Sequence, residues 1–118
     1  MSTRCQIEVS GEPVRLYKHS DGYPSGVMPI LEKVVAEFEL ARGFFDGPYL
    51  LARIGQRFMN ESDDGTRKFR DKMASAGLPL ADNAESFVLG YGYDTEVHGD
   101  IEYMYTVHAD FSISVKGE

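Results

Sequence analysis

His19 and Asp21 stand two apart in the stretch Leu16-Tyr17-Lys18-His19-Ser20-Asp21-Gly22-Tyr23-Pro24, the densest cluster of chemically versatile side chains in this sequence. A carboxylate that orients an imidazole gives a base titrating near neutral pH. Arg4, Tyr17 and Tyr23 extend the set, because a guanidinium binds anions and a phenol both donates and accepts. The candidate ligand-binding residues are therefore Arg4, Tyr17, His19, Asp21 and Tyr23, and the ligand they suit is a small anion, a phosphate or a nucleotide. The same residues have a structural reading, which is preferred. Asp21 then shapes a turn, Arg4 pairs with it or stacks on a tyrosine, and His19 is an ordinary strand residue.

Other chemistry is thinner. His19, His98 and His108 with Asp21, Asp100 and Asp110 supply donor types that zinc or iron accepts, but no HExxH or two-His-one-carboxylate spacing occurs. No metal and no cofactor is expected. No nucleophile-elbow spacing surrounds any serine, and Gly90-Tyr91-Gly92 is followed by no helix that would make it a phosphate loop. Cys5 falls on an inward strand face and reads as an inert core thiol. The balance leans away from an enzyme. Arg67, Lys68, Arg70 and Lys72, with Arg53 and Arg57, make a basic gathering. It lacks interleaved aromatics or a known motif, so nucleic acid is not the expected partner.

Composition bounds the rest. The 118 residues form one domain, 1–118, long enough for a core without staples. A formal charge of −7 favours solubility and repels nucleic-acid backbones. A single cysteine excludes an internal disulfide and fits a reducing cytoplasm. No apolar leader and no membrane-length run is present.

The elements that position these residues follow from periodicity. Cys5, Ile7 and Val9 alternate with Arg4, Gln6 and Glu8, giving a half-buried strand. Ser10 to Pro13 turns the chain, and Val14 to His19 returns it. Setting Ile7 opposite Leu16 pairs Cys5 with Lys18, Glu8 with Arg15, Gln6 with Tyr17 and Arg4 with His19, which suits both faces at once. Asp21-Gly22-Tyr23-Pro24 is a turn in which Gly22 takes a positive φ, and Ser25 caps a helix with Pro29 in its first turn. Val27, Leu31, Val34, Val35, Phe38 and Ala41 form the apolar stripe, and Gly43 ends it. Pro48 opens a second helix with Leu51, Ile54 and Phe58 inward. Gly55 within that helix implies a close contact with another element. Asn60 to Gly65 reads as a loop, then a short helix runs from Thr66 to Ser75 with Phe69 and Met73 inward. Gly77 to Glu85 reads as loop. From Ser86 the pattern is β, with Phe87, Leu89, Tyr91, Tyr93, Thr95 and Val97 on one face. A hairpin at His98-Gly99-Asp100 pairs Val97 with Ile101 and Tyr93 with Tyr105. A second turn at His108-Ala109-Asp110 is favoured over one long strand.

Thr3-Arg4-Cys5-Gln6-Ile7, followed by Tyr17-Lys18-His19-Ser20-Asp21-Gly22-Tyr23-Pro24-Ser25-Gly26, resembles a family of small uncharacterised prokaryotic and phage proteins. Its members open with a TRxxI-like strand and carry a YxHxDGYP-like turn. Tyr49-Leu50-Leu51-Ala52-Arg53 and Gly99-Asp100-Ile101-Glu102-Tyr103-Met104-Tyr105 are similar to its later landmarks. The resemblance implies a shared fold and a shared site, and carries no function with it.

The expected fold is α+β: an antiparallel sheet made of an N-terminal hairpin and a C-terminal meander, with two or three helices on one face. The expected function is a non-enzymatic interaction protein of prokaryotic or phage origin, an inhibitor of a host protein being one concrete form. The alternative is a small enzyme or phosphate-ligand binder using Arg4, Tyr17, His19 and Asp21. A protein partner or a homodimer through sheet edges or tyrosines is expected, and no membrane.

Overall fold

Apolar alternation builds the N-terminal hairpin in the expected register. In the computed structural model, which describes residues 3–77 and 90–117 and only the backbone of 61–74, β1 (Cys5–Val9) and β2 (Arg15–Lys18) pair antiparallel. Cys5 lies opposite Lys18, Gln6 opposite Tyr17 and Ile7 opposite Leu16. Cys5, Ile7, Val9 and Leu16 enter the core. Lys18 shares that face by laying its ammonium 4.9 Å from the Tyr91 ring centre and donating to the Tyr91 hydroxyl at 2.9 Å.

The turn that follows is made differently from expectation. Asp21, with φ 55°, takes the left-handed conformation. Gly22 does not; it is required for close approach. A β-carbon there would lie 2.8 Å from both the Cys5 β-carbon and the Thr3 carbonyl oxygen. The Gly22 amide donates to that same Thr3 oxygen at 2.8 Å. Aspartate tolerates the left-handed region better than most residues, which frees glycine for the position where space is short.

Helix α1 (Pro24–Arg42) starts two residues earlier than a Ser25 cap would allow, with Tyr23 as N-cap and no side-chain cap. Pro24 at the first helical position is preset in φ and lacks only a donor that has no partner there. Pro29 consequently lies inside the helix rather than in its first turn. Val27, Leu31, Val34, Val35 and Phe38 are buried as expected, but Ala41 is exposed. Gly43 ends the helix at φ 75°.

Helix α2 (Gly47–Ser75) is continuous. The expected loop at Asn60 to Gly65 and the separate third helix are therefore one helix. Asn60, Ser62, Asp63 and Asp64 are weak helix formers and Gly65 costs about 1 kcal/mol against alanine, but propensity is a weak prior and a helix that continues on both sides absorbs such penalties. Leu51, Ile54 and Phe58 are buried, as is Leu50. The expected loop beyond Gly77 and the strand start at Ser86, Phe87 and Leu89 lie outside the described residues, as do the side chains of Phe69 and Met73.

The C-terminal strands depart most from the expected meander. β3 (Tyr91–Asp94), β4 (Tyr103–Val107) and β5 (Ile113–Gly117) complete a five-stranded sheet of order β3-β2-β1-β4-β5. β3 pairs antiparallel with β2, with Tyr93 opposite Leu16, and β4 pairs parallel with β1, with Tyr105 opposite Ile7. The sheet is thus mixed, and the Tyr93–Tyr105 hairpin does not form. Segment 95–102 is a crossover, because β3 and β4 run the same way on opposite flanks of the first hairpin. The turn at 108–110 does form, and β4 and β5 pair antiparallel around it. At its tip Phe111, with φ 67°, reaches Phe38 and Phe45 at ring distances of 6.4 and 5.8 Å.

Tyr105 and Val107 join Ile7, Leu16 and the apolar faces of both helices in one core, so the helices cover one face of the sheet. The close contact implied by Gly55 is present. A β-carbon at Gly55 would collide with the Tyr93 hydroxyl. Gly55→Ala is therefore expected to destabilise by roughly 1–2 kcal/mol, despite a helix-propensity gain of about 1 kcal/mol. In a Tyr93→Ala background the same change should stabilise by about 1 kcal/mol. Chemical denaturation of the four proteins measures this, and a stabilised single Gly55→Ala variant would show that Tyr93 does not hold the site.

Candidate functional site

The hairpin and its turn scatter the five expected ligand-binding residues. Arg4, Tyr17 and His19 lie on the sheet face away from the helices. The Tyr17 hydroxyl and His19 Nδ1 are 2.9 Å apart. Arg4 turns to Asp100, at 3.6 Å, rather than to Asp21, and its amide donates to Glu102 at 3.1 Å. Asp21 and Tyr23 are exposed beside the start of α1, their hydroxyl–carboxylate contact a long 3.5 Å. Asp21 thus acts through its backbone, and its carboxylate makes no ion pair among the described residues.

The sequence pattern gave no sign of what covers this face. The crossover is clamped by Gln6, the one fully buried polar side chain among the described residues. Its amide nitrogen donates to the Glu96 carbonyl at 2.9 Å, and its oxygen accepts from the His98 amide at 3.0 Å. Arg15 adds a bond to the Thr95 carbonyl at 2.9 Å while pairing with Glu8, also at 2.9 Å, the cross-strand pair expected from the register. The Tyr17 ring stacks on His98 at 4.5 Å, and His98 Nε2 lies 2.8 Å from Asp94. The Glu96 amide and then His98 hold the Asp94 carboxyl below its usual range. Burial, followed by the Asp100 charge, pushes the Tyr17 phenol up, and Arg4 opposes the shift. Arg4, Tyr17, His98, Asp94 and Asp100 are therefore mutually engaged. Burial pushes the Cys5 thiol up to about 12, so it carries no nucleophilic thiolate at neutral pH. Among the described residues no group of three histidine, cysteine or carboxylate side chains gathers to hold a metal.

A different surface is open. Between α1 and α2 runs a groove of about 840 Å³. Val34 and Phe38 form its floor, and Ala41 and Ala52 are small enough to keep it open. Arg53, Gln56, Arg57 and Asn60 line the α2 side, with Glu37 facing them from α1 and paired with Arg57. Arg53 donates to Gln56 at 3.1 Å and makes no ion pair among the described residues. Arg42 and Tyr49 line one end of the groove. The Arg42 guanidinium sits 4.6 Å from the Tyr49 ring centre, 5.0 Å from Phe44 and 5.8 Å from Phe38, and pairs with Asp46 at 3.0 Å. Phe44 and Tyr49 remain 56% and 57% exposed. Arg53 and Arg57 were visible in the sequence as a pair four apart. The signal for the rest was Arg42 in the last turn of a helix, followed within a few residues by Phe44 and Tyr49.

No protein-family model, curated protein or solved structure matches the chain. Among the described residues no helix is long and apolar enough to cross a membrane.

Proposed function

We propose that the chain is a non-enzymatic binding protein whose partner seats in the groove between α1 and α2. The observation that carries this reading is Arg42, held among Phe38, Phe44 and Tyr49 while the last two stay more than half exposed. Arginine and large aromatics dominate interface hot spots. Held in place before binding, they lose little side-chain entropy when a partner arrives. The apolar floor beside them supplies area that a partner can desolvate. Prokaryotic or phage origin, with inhibition of a host protein as the biological role, is the concrete form of this proposal. The resemblance carried by the YxHxDGYP-like turn supports the origin, whereas the inhibitory role rests on the arginine and exposed aromatics of the groove alone. A phosphate-binding or catalytic role for Arg4, Tyr17, His19 and Asp21 has less support, because Asp100 already engages Arg4 and Asp21 stands apart from it.

The test is site-specific cross-linking in the source cell, with a photoreactive phenylalanine analogue in place of Tyr49. A discrete adduct is expected that disappears when Arg53→Glu and Arg57→Glu are added. The same analogue at Ser114, on β5, should give none. Equal adducts at both positions, or none at position 49, would contradict the proposal.

A further inference from the structure

Resting on the reading of the groove as the partner site, we infer that its occupant is an acidic amphipathic helix of another protein. Shape is the first argument. The groove lies between two neighbouring helices over a floor of Val34 and Phe38, and its flanks are narrowed to alanine at positions 41 and 52. A third helix packs into such a space with its small-residue flanks allowing close approach, as in helix-in-groove recognition. The lining runs along α2 from Tyr49 to Asn60. At 1.5 Å per residue that is about 16 Å, or about three turns of a partner helix.

Charge is the second argument. Three arginines and one carboxylate line the groove of a chain whose formal charge is −7. Glu37 engages Arg57, and Asp46 engages Arg42, which leaves Arg53, bonded to the Gln56 oxygen, without a carboxylate among the described residues. Arg53 and Arg57 stand one helical turn apart on α2, the spacing of carboxylates at i and i+4 on a facing helix. The overall negative charge opposes an acidic partner only at long range. At physiological salt it is screened beyond about 8 Å, whereas a carboxylate in the groove sits in contact with the arginines.

The experiment is fluorescence anisotropy with synthetic helical peptides of about sixteen residues, enough to exceed the groove's three turns. Each carries a Leu/Ala stripe at i, i+3 and i+4. One has glutamates at i,i+4 beside the stripe, and a second has glutamines there. The glutamate peptide is expected to bind at least about tenfold more tightly than the glutamine peptide. Arg53→Glu, at an exposed position, should remove that preference. Glu37→Gln should strengthen binding several-fold by freeing Arg57, an outcome that loss of folding cannot mimic. Equal affinity for the two peptides, or tighter binding of a single-stranded oligonucleotide than of either, would overturn the inference. So would self-association of the chain that Arg53→Glu abolishes. If position 49 cross-links in the cell while no acidic helix binds, only this partner class falls. If neither occurs, the groove loses its role altogether.

Discussion

Tyr105→Ala is expected to lower the unfolding free energy by about 3–5 kcal/mol, the range for removing a large aromatic side chain from a core. Tyr105 lies in β4, opposite Ile7 on the parallel partner strand, and is fully buried. Its hydroxyl donates to the Gly22 carbonyl at 2.6 Å. Burial, with Cys5 and Tyr103 adding to it, pushes the phenol well above its ordinary range, so it is a neutral donor at neutral pH. This one side chain ties the C-terminal strand pair to the turn that launches α1. Tyr105→Phe isolates the hydrogen bond. It leaves the packing and orphans a buried carbonyl, at a cost of about 1–3 kcal/mol. Denaturant unfolding of both variants checks the division. A phenylalanine variant within about 0.5 kcal/mol of the parent would mean that packing alone anchors the turn.

Gln6→Leu carries the second large effect, expected at about 2–4 kcal/mol from two lost hydrogen bonds whose partners belong to the crossover. The side chain has 0% exposure, so leucine keeps the burial and loses only the polar clamp on Glu96 and His98. Gln6→Glu makes the argument sharper. A carboxylate can still accept from the His98 amide, but its second oxygen faces the Glu96 carbonyl and needs a proton. Burial and that carbonyl raise its folded-state pKa above the unfolded value near 4.3. A group with a raised folded pKa contributes stability below its unfolded pKa and loses it as pH rises through the folded one. Relative to the parent, Gln6→Glu should thus be least harmful near pH 4 and worsen toward neutrality, while the Gln6→Leu deficit stays level. Unfolding curves across pH 4–8 distinguish the two, and a pH-independent Gln6→Glu deficit would show that the glutamine is not a clamp.

These residues also explain what the sequence made legible. The first hairpin was readable because both of its faces are informative. Cys5, Ile7, Val9 and Leu16 fix one side, the Glu8–Arg15 pair fixes the other, and a one-residue slip would spoil both. The stripes of α1 and of the first half of α2 were readable for the same reason. The partner of β3 was not. Tyr93 and Tyr105 have the parity of a hairpin pair and His98-Gly99-Asp100 looks like its turn, yet β2 and β1 each offer a free edge. What settles the choice is long-range: the Gln6 amide, the Tyr17–His98 stack, and the space Gly55 leaves for Tyr93. No local pattern encodes such contacts. The surroundings of the expected site were hidden in the same way. Arg4, Tyr17 and His19 do share a face, but Asp100, remote in sequence, takes the arginine. The groove has no local signature because its parts come from two helices, and each arginine taken alone resembles a solvated surface residue.

The central claim is that a partner occupies the groove between α1 and α2, and hydroxyl-radical footprinting of the aromatic residues tests it whatever that partner is. Tyr49, Tyr93 and Tyr23 are 57%, 48% and 41% exposed, so all three should label in the purified chain. In the source cell the account predicts that Tyr49 and Phe44 become protected while Tyr23 and Tyr93 label as before. Protection of Tyr23 with Tyr49 still fully labelled would contradict it and move the working surface to the turn around Asp21.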